Sequence, residues 1–217
     1  MNLRRALLAT ALIMVMAASL TGGMLIGRDL PHDATGWGQA PAEVRAVMWP
    51  EPRALAKVVL TTQHGERFTN DDLRGHWSLV FFGYMSCPDV CPTSLQAMRE
   101  MRKLLDTQDA LHNVQTVFVT VDPQHDRPDE MADYLAWYDP ALIGLHGTED
   151  EIARLADSLA VKYLEFNDET GYRSIDHTAS LMVIAPDGRM VGALPPPLEP
   201  QRMTEQFLRL VEYLGHG

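Results

Sequence analysis

At 217 residues, with 46% hydrophobic and 22% charged residues, the chain can bury a real core as one large domain or one domain with accessory segments. Its formal net charge is −11 and its Lys and Arg residues form no dense basic patch, which argues against nucleic-acid binding. Acidity of this kind aids solubility and also suits attraction to a cation or a basic partner.

Arg4 and Arg5 precede a run from Ala6 to Ile26 that carries no charge. About twenty apolar residues suffice to span a bilayer, and flanking arginines favour keeping that end in the cytoplasm. Small residues at Ala17-Ala18-Ser19 suit a cleaved signal peptide, but the run continues through Met24, Leu25 and Ile26. Residues 1–27 are therefore expected to be an N-terminal membrane anchor, with a signal peptide as the alternative. The rest of the chain is expected on the extracytoplasmic, periplasmic side of the inner (cytoplasmic) membrane. Residues 28–54, punctuated by Pro, Gly and Ala, read as a linker, and the globular domain is expected over 55–217.

Within that domain, Lys57–Thr62 and Arg67–Thr69 flank Gln63-His64-Gly65-Glu66, a hairpin pattern. Trp77–Tyr84 is uniformly apolar, as a central strand covered on both faces would be. A helix is expected from Pro92 to about Leu105, with Leu95, Met98 and Leu105 on one face. Val114–Val121 reads as a second strand, and Arg127-Pro128 opens a helix that Asp139-Pro140 stops. A short strand over Ala141–Leu145 leads to a helix with an acidic first turn, ending near Ala160. Val161–Phe166 and Ser180–Ala185 read as strands. Pro186-Asp187-Gly188 turns the chain into Met190–Leu194, and an amphipathic helix over Glu199–Leu214 closes it. This succession predicts an α/β fold, a central mixed β-sheet flanked by helices with an added N-terminal β-hairpin.

The only two cysteines, Cys87 and Cys91, lie between the central strand and the helix after it. Strand, cysteine loop and helix N-terminus form the arrangement in which thioredoxin-like proteins present a dithiol, here with three intervening residues rather than two. A structural disulfide closing so short a loop would remove little chain entropy. With Pro92 at the first helical position, Cys91 is expected at the N-cap, where free N–H groups and the helix dipole favour a thiolate. Thiolates are soft ligands that select Cu(I) or Zn(II), and two of them leave such an ion in need of a third ligand. Of eight histidines, His177 stands just before the strand Ser180–Ala185, where a thioredoxin-like sheet brings a loop beside the dithiol. Asp176 could orient its imidazole or cap a turn. Met85, one of twelve methionines, is expected to pack rather than to ligate, and His125 to be a solvent-exposed loop residue.

Gly83-Tyr84-Met85-Ser86-Cys87-Pro88-Asp89-Val90-Cys91-Pro92 resembles the signature of the Sco/SenC family of copper proteins of cytochrome c oxidase assembly. Val119-Thr120-Val121-Asp122-Pro123 with Arg127-Pro128 resembles the family's second block, and Asp176-His177-Thr178 its third. The resemblance runs from about Val58 to Leu214 and implies a thioredoxin-like fold and a copper ion, Cu(I) or also Cu(II), held by Cys87, Cys91 and His177. It further implies that Asp122 fixes the loop beside the site and that Asp89 shapes the site or meets a partner.

Two functions follow. One is a copper metallochaperone that passes its ion to the binuclear copper centre of the copper-containing subunit of cytochrome c oxidase. The other is a thiol–disulfide oxidoreductase, in which Cys87 and Cys91 are the catalytic dithiol that reduces the cysteines of that centre. Other copper chaperones or thiol reductases are the further partners this reading implies.

Overall fold

The structure, a computed structural model, describes residues 36–167 and 173–215. The expected membrane anchor lies outside the described residues. Among those described, no helix is long and apolar enough to cross a membrane.

An eight-stranded sheet forms the core. After a short helix α1 (Ala42–Arg45) come β1 (Met48–Ala54), β2 (Val59–Thr62), β3 (Arg67–Thr69) and β4 (Trp77–Gly83). Helix α2 (Val90–Thr107), β5 (Val114–Thr120), α3 (Pro128–Tyr138), β6 (Ile143–His146) and α4 (Glu149–Ser158) follow. The chain ends through β7 (Tyr163–Asn167), β8 (Arg173–His177), β9 (Leu181–Ile184), β10 (Arg189–Leu194) and α5 (Pro200–Gly215). The sheet order is β1-β10-β9-β4-β5-β6-β2-β3, with β7 and β8 paired in a separate two-stranded sheet. Strands β4, β5 and β6 run parallel and all other neighbours antiparallel. This is the expected thioredoxin-like α/β domain, with β2–β3 as the added N-terminal hairpin.

The uniform apolarity of β4 has its cause in this layering. The Trp77 ring meets Phe207 of α5 edge-on, while Val80 on the opposite face shares an apolar interface with Val117, Val119 and Ile184, with Leu155 of α4 and with Leu159 just past its end. Both faces are covered, so no polar alternation survives.

The expected domain boundary at residue 55 moves towards the N-terminus. Residues 48–54 are not linker but the edge strand β1, paired with β10, and the Ala193 N–H donates to the Val47 carbonyl at 2.8 Å. The prolines that made this stretch read as linker, Pro50 and Pro52, are tolerated on an edge strand and sit where the register shifts between Met48 and Arg53. A side chain at Gly192 would run into the Val47 carbonyl oxygen, so the close approach of β1 requires glycine there. Further upstream, the Tyr213 hydroxyl of α5 donates to the Gly36 carbonyl at 2.7 Å.

Two more differences bear on the site. Helix α2 begins at Val90 with Asp89 at the N-cap, so Cys91 lies inside the first turn rather than at the cap. Pro92 still fits, because first-turn N–H groups have no intrahelical acceptor to lose. The stretch Val161–Phe166 does not join the main sheet: Tyr163–Asn167 pairs with Arg173–His177, a strand not anticipated from the sequence.

Candidate metal centre

The parallel strand β4 delivers the chain to the loop Tyr84–Asp89, and α2 carries it away. Cys87 lies on the loop, 8% exposed, and its N–H donates to the Tyr84 carbonyl at 3.3 Å. Cys91, one helical turn on, is fully buried. Its sulfur rests where a Cβ on Gly83 would come within 2.8 Å, with Phe81 and Phe118 at 3.0 Å around the same point. Gly83 is thus the floor that lets the second cysteine sit against the sheet.

The helix N-terminus acts on the first cysteine rather than the second. The Cys91 N–H donates to Cys87 Sγ at 3.4 Å, placing the free first-turn donor of α2 at the outer sulfur. Burial pushes the Cys91 thiol well above its ordinary range, and the neighbouring Cys87 and Asp126 add to that shift. Cys91 is therefore a protonated thiol at neutral pH. The expectation that the helix end would favour a thiolate at Cys91 is overturned, because desolvation of a fully buried sulfur outweighs the dipole.

His177 ends β8 and reaches the dithiol from the other side. Its Nε2 lies 3.3 Å from Cys91 Sγ, and its Nδ1 lies 3.2 Å from the Thr178 carbonyl oxygen. A carbonyl only accepts, so Nδ1 carries the proton and Nε2 presents a lone pair to the sulfurs. Burial lowers the pKa of His177, which keeps the ring neutral, and the Thr178 carbonyl and Asp176 oppose that only in part. The rings of Phe81 and Tyr84 stand edge-on to the imidazole at 5.7 and 6.2 Å between centroids. The structure brings together all three residues expected from the sequence. One ligand atom from each of Cys87, Cys91 and His177 lies within 4.8 Å of the others, the one such group among the described residues.

Asp176 does not orient the imidazole; the Thr178 carbonyl does, while Asp176 points to solvent on the other face of β8. Asp89 is exposed at the N-cap and makes no capping bond with its side chain. Met85 is half-buried and packs on the core, as its softness and flexibility suit. The His125 side chain is 58% exposed, with Nδ1 2.7 Å from Asp122 Oδ1.

Asp122 is buried, 2% exposed, and receives the guanidinium of Arg173 at 2.5 and 2.9 Å. Burial raises its pKa, but the bonds from Arg173 and His125 outweigh it, so the carboxyl lies below its ordinary value. Three groups escaped the sequence reading. Arg173 is pinned between Asp122 and Glu165. Asp126, buried, accepts from the Met85 N–H at 3.1 Å and from the Thr120 hydroxyl at 2.5 Å. The Tyr84 hydroxyl accepts from the Ile175 N–H at 3.2 Å. No sequence pattern marks these three; only once Arg173–His177 is known to be a strand do Arg173, Ile175 and His177 fall on one face of it.

The SCO1/SenC family model matches residues 51–212. The chain is 36% identical over 133 residues to the mitochondrial SCO1 homolog of Homo sapiens, covering 61% of this chain and 44% of that protein, so it spans less than half of that relative's length. It is 36% identical over 153 residues to a SCO2-like protein of Rickettsia conorii, covering 69% of this chain and 73% of that one. Among solved structures, Bradyrhizobium japonicum ScoI with copper bound is 36% identical, with a TM-score of 0.64 over 74% of this chain and 99% of that one. Arabidopsis thaliana ScoI with copper bound is 26% identical, with a TM-score of 0.68 over 72% of this chain and 97% of that one.

Proposed function

The chain belongs to the SCO1/SenC family, and from that premise we propose that it is a copper metallochaperone that loads the binuclear copper centre of cytochrome c oxidase during its assembly. The observation that carries this reading is the convergence of two sulfurs and one imidazole nitrogen within 4.8 Å of each other. Three donors at bond lengths of about 2.0–2.3 Å around one ion stand about 3.8 Å apart in a trigonal plane. To close on a metal, no separation in the trio needs to shorten by more than about 1 Å, and the 3.3 Å between Cys91 Sγ and His177 Nε2 needs to lengthen by about 0.5 Å. Two soft sulfurs fit Cu(I), and the imidazole extends the fit to Cu(II).

The chain's own residues divide the work. Cys87, 8% exposed where Cys91 is fully buried and set near the free end of α2, is the sulfur an acceptor meets first. Cys91 and His177 form the inner wall. Since Cys91 is a protonated thiol, taking up an ion must release its proton to solvent, which leaves the His177 Nε2 lone pair free to serve as the third ligand. Transfer then proceeds by ligand exchange, with donor and acceptor thiolates sharing the ion in passing. The acceptor is the copper-containing subunit of the oxidase, and other copper chaperones or thiol reductases would act before or beside this step. An N-terminal anchor in the inner membrane would hold the domain on the periplasmic side, near that acceptor.

One observation also favours the second reading, a thiol–disulfide oxidoreductase. Cys87 is the less buried of the two sulfurs and accepts the Cys91 N–H as an attacking sulfur would, with Cys91 fully buried behind it as the resolving thiol. Cys87 would attack the partner's disulfide, releasing one partner thiolate. Cys91 would then displace the second, leaving a Cys87–Cys91 disulfide and a partner reduced by two electrons.

The test is an anaerobic titration of the fully reduced, full-length chain with Cu(I) against a competing chelator, beside His177→Ala. Tight one-to-one binding that weakens without the imidazole is the expected result. Binding too weak to compete in the native chain would make the dithiol enzyme the better reading, and unchanged affinity in His177→Ala would remove His177 from the ligand set.

A further inference from the structure

The three donors come from two bodies with different support. The cysteines belong to β4 and α2, in the centre of the main sheet, whereas His177 belongs to β7–β8, which forms a sheet of its own. Among the described residues no ladder of backbone hydrogen bonds joins β8 to β4. Beyond the three-residue link from His177 to β9, side chains must set where the imidazole sits relative to the sulfurs.

Arg173, Ile175 and His177 share one face of β8. Ile175 is buried at the middle, and its N–H is bound by the Tyr84 hydroxyl. His177 is at one end, and Arg173 lies at the other, about 13 Å away at strand rise. Two contacts on one face define a pivot; a third, at distance, defines an orientation. Arg173 supplies it, with two nitrogens on the two oxygens of Asp122 at 2.5 and 2.9 Å, and with Glu165 of β7 on its remaining side. Such a planar fork fixes direction as well as distance.

The far end of this contact leads back to the cysteines. Asp122 opens the loop 122–126, and Asp126 at its close accepts the Met85 N–H, two residues before Cys87. The backbone of the loop is itself held, with the His125 and Asp126 N–H groups donating to the Asp122 carbonyl at 3.1 and 2.9 Å. One short loop thus holds the histidine strand through Asp122 and the cysteine loop through Asp126.

Resting on the copper-site reading above, we propose that the Arg173–Asp122 pair is a positioning element that sets His177 over the dithiol, and that it determines how strongly the site favours Cu(II) relative to Cu(I). The chemistry of the two ions makes the effect unequal. Cu(I) uses the imidazole as one of three ligands but draws most of its affinity from the two thiolates, which the core holds in place without Arg173, so a displaced ring costs it far less than a deleted one. Cu(II) depends more on the imidazole, which swings out of line when the fork is lost.

The test uses the full-length chain as native protein, Arg173→Gln and Arg173→Lys. Cu(I) affinity is measured by chelator competition, Cu(II) affinity by the sulfur-to-copper charge-transfer band, and hydrogen exchange on the metal-free protein. Arg173→Gln is expected to lose about ten- to a hundred-fold in Cu(II) affinity, the size typical of supporting groups around a metal ligand, with Cu(I) affinity within about three-fold of native. The loss corresponds to a rise in copper potential of about 59–118 mV at 59 mV per tenfold for one electron. Arg173→Lys, which keeps the charge and loses the fork, should fall between and carries the test if Arg173→Gln folds poorly. Amides of β8 should exchange faster in both variants before any metal is added. Equal losses for both ions, or no loss for either, overturn the proposal. If instead His177→Ala binds both ions as the native chain does, the copper-site reading fails and not merely this extension of it.

Discussion

The two sides of the site differ in how they are held. The dithiol side is continuous with the core: β4 is hydrogen-bonded to β5 and β9, Cys91 is fully buried, and the missing side chain of Gly83 leaves room for its sulfur. The histidine side is a two-stranded ribbon held by Ile175 packing, the Tyr84 hydroxyl and the Arg173 fork, with Leu164 and Phe166 left exposed on its outer face. An isolated two-stranded hairpin is marginal in water. A rigid pair of sulfurs facing a tethered imidazole suits a site that must grip an ion and also release it.

The largest expected effect concerns that difference directly. Amide hydrogen exchange should place β4 and α2 near the free energy of global unfolding, typically about 5–15 kcal/mol for a domain. Amides of β7 and β8 should exchange by local opening at only a fraction of it. Equal protection on both sides would break the comparison. Next comes Gly83→Ala. Its new methyl would meet Cys91 Sγ and two aromatic rings at 2.8–3.0 Å. Chemical denaturation should show a loss of about 1–3 kcal/mol, the range for an overpacked core. Since the displaced atom is a donor, metal affinity should fall with it, whereas His177→Ala should weaken metal binding at little cost in stability.

This contrast also explains what could be read from the chain. The sulfurs were legible because they stand where an apolar strand run meets a helix start, a local pattern within about fifteen residues of sequence. The exact helix start was not, since Pro92 fits the third helical position as well as the first. His177 could be placed only through its position before β9 and the family resemblance. Strand β8 itself was missed because Arg173-Ser174-Ile175-Asp176-His177 has one aliphatic residue, too few to show alternation. Arg173, Asp126 and the Tyr84 hydroxyl act across sequence separations of 41 to 91 residues. No periodicity encodes such pairings. The edge strand β1 was hidden by its prolines, which mark a linker and an edge strand alike.

A smaller effect is expected for Tyr84→Phe, which removes the acceptor of the Ile175 N–H and leaves the ring edge-on to His177. The cost should be about 0.5–1.5 kcal/mol, one net hydrogen bond. It should appear in hydrogen exchange as faster exchange of the Ile175 amide with β4 unchanged. If β4 loosens equally, the ribbon is less independent than its topology implies.

The smallest effect is a change in pH dependence at the loop that joins the two sides. Burial raises the Asp126 carboxyl above its ordinary 3.8, with the Asp122 charge adding to this, while the bonds from Thr120 and Met85 and the charge of His146 oppose it. A raised folded-state pKa means that the folded chain holds the proton more tightly than the unfolded one. Its contribution to stability is complete below 3.8 and is lost as pH rises through the folded value. Asp122 behaves in the opposite sense. Its lowered pKa contributes stability above 3.8 that is lost as pH falls through the folded value. The two windows therefore meet at the ordinary value and do not overlap. Asp126→Asn, which keeps an oxygen for the Thr120 hydroxyl or the Met85 N–H, should flatten the stability profile just above pH 3.8 and leave the acid limb intact. Denaturant midpoints measured across both windows decide it. A variant that changes the acid limb instead would show that Asp122 and Asp126 titrate as one unit, and the two sides of the site would then share a single electrostatic anchor rather than two.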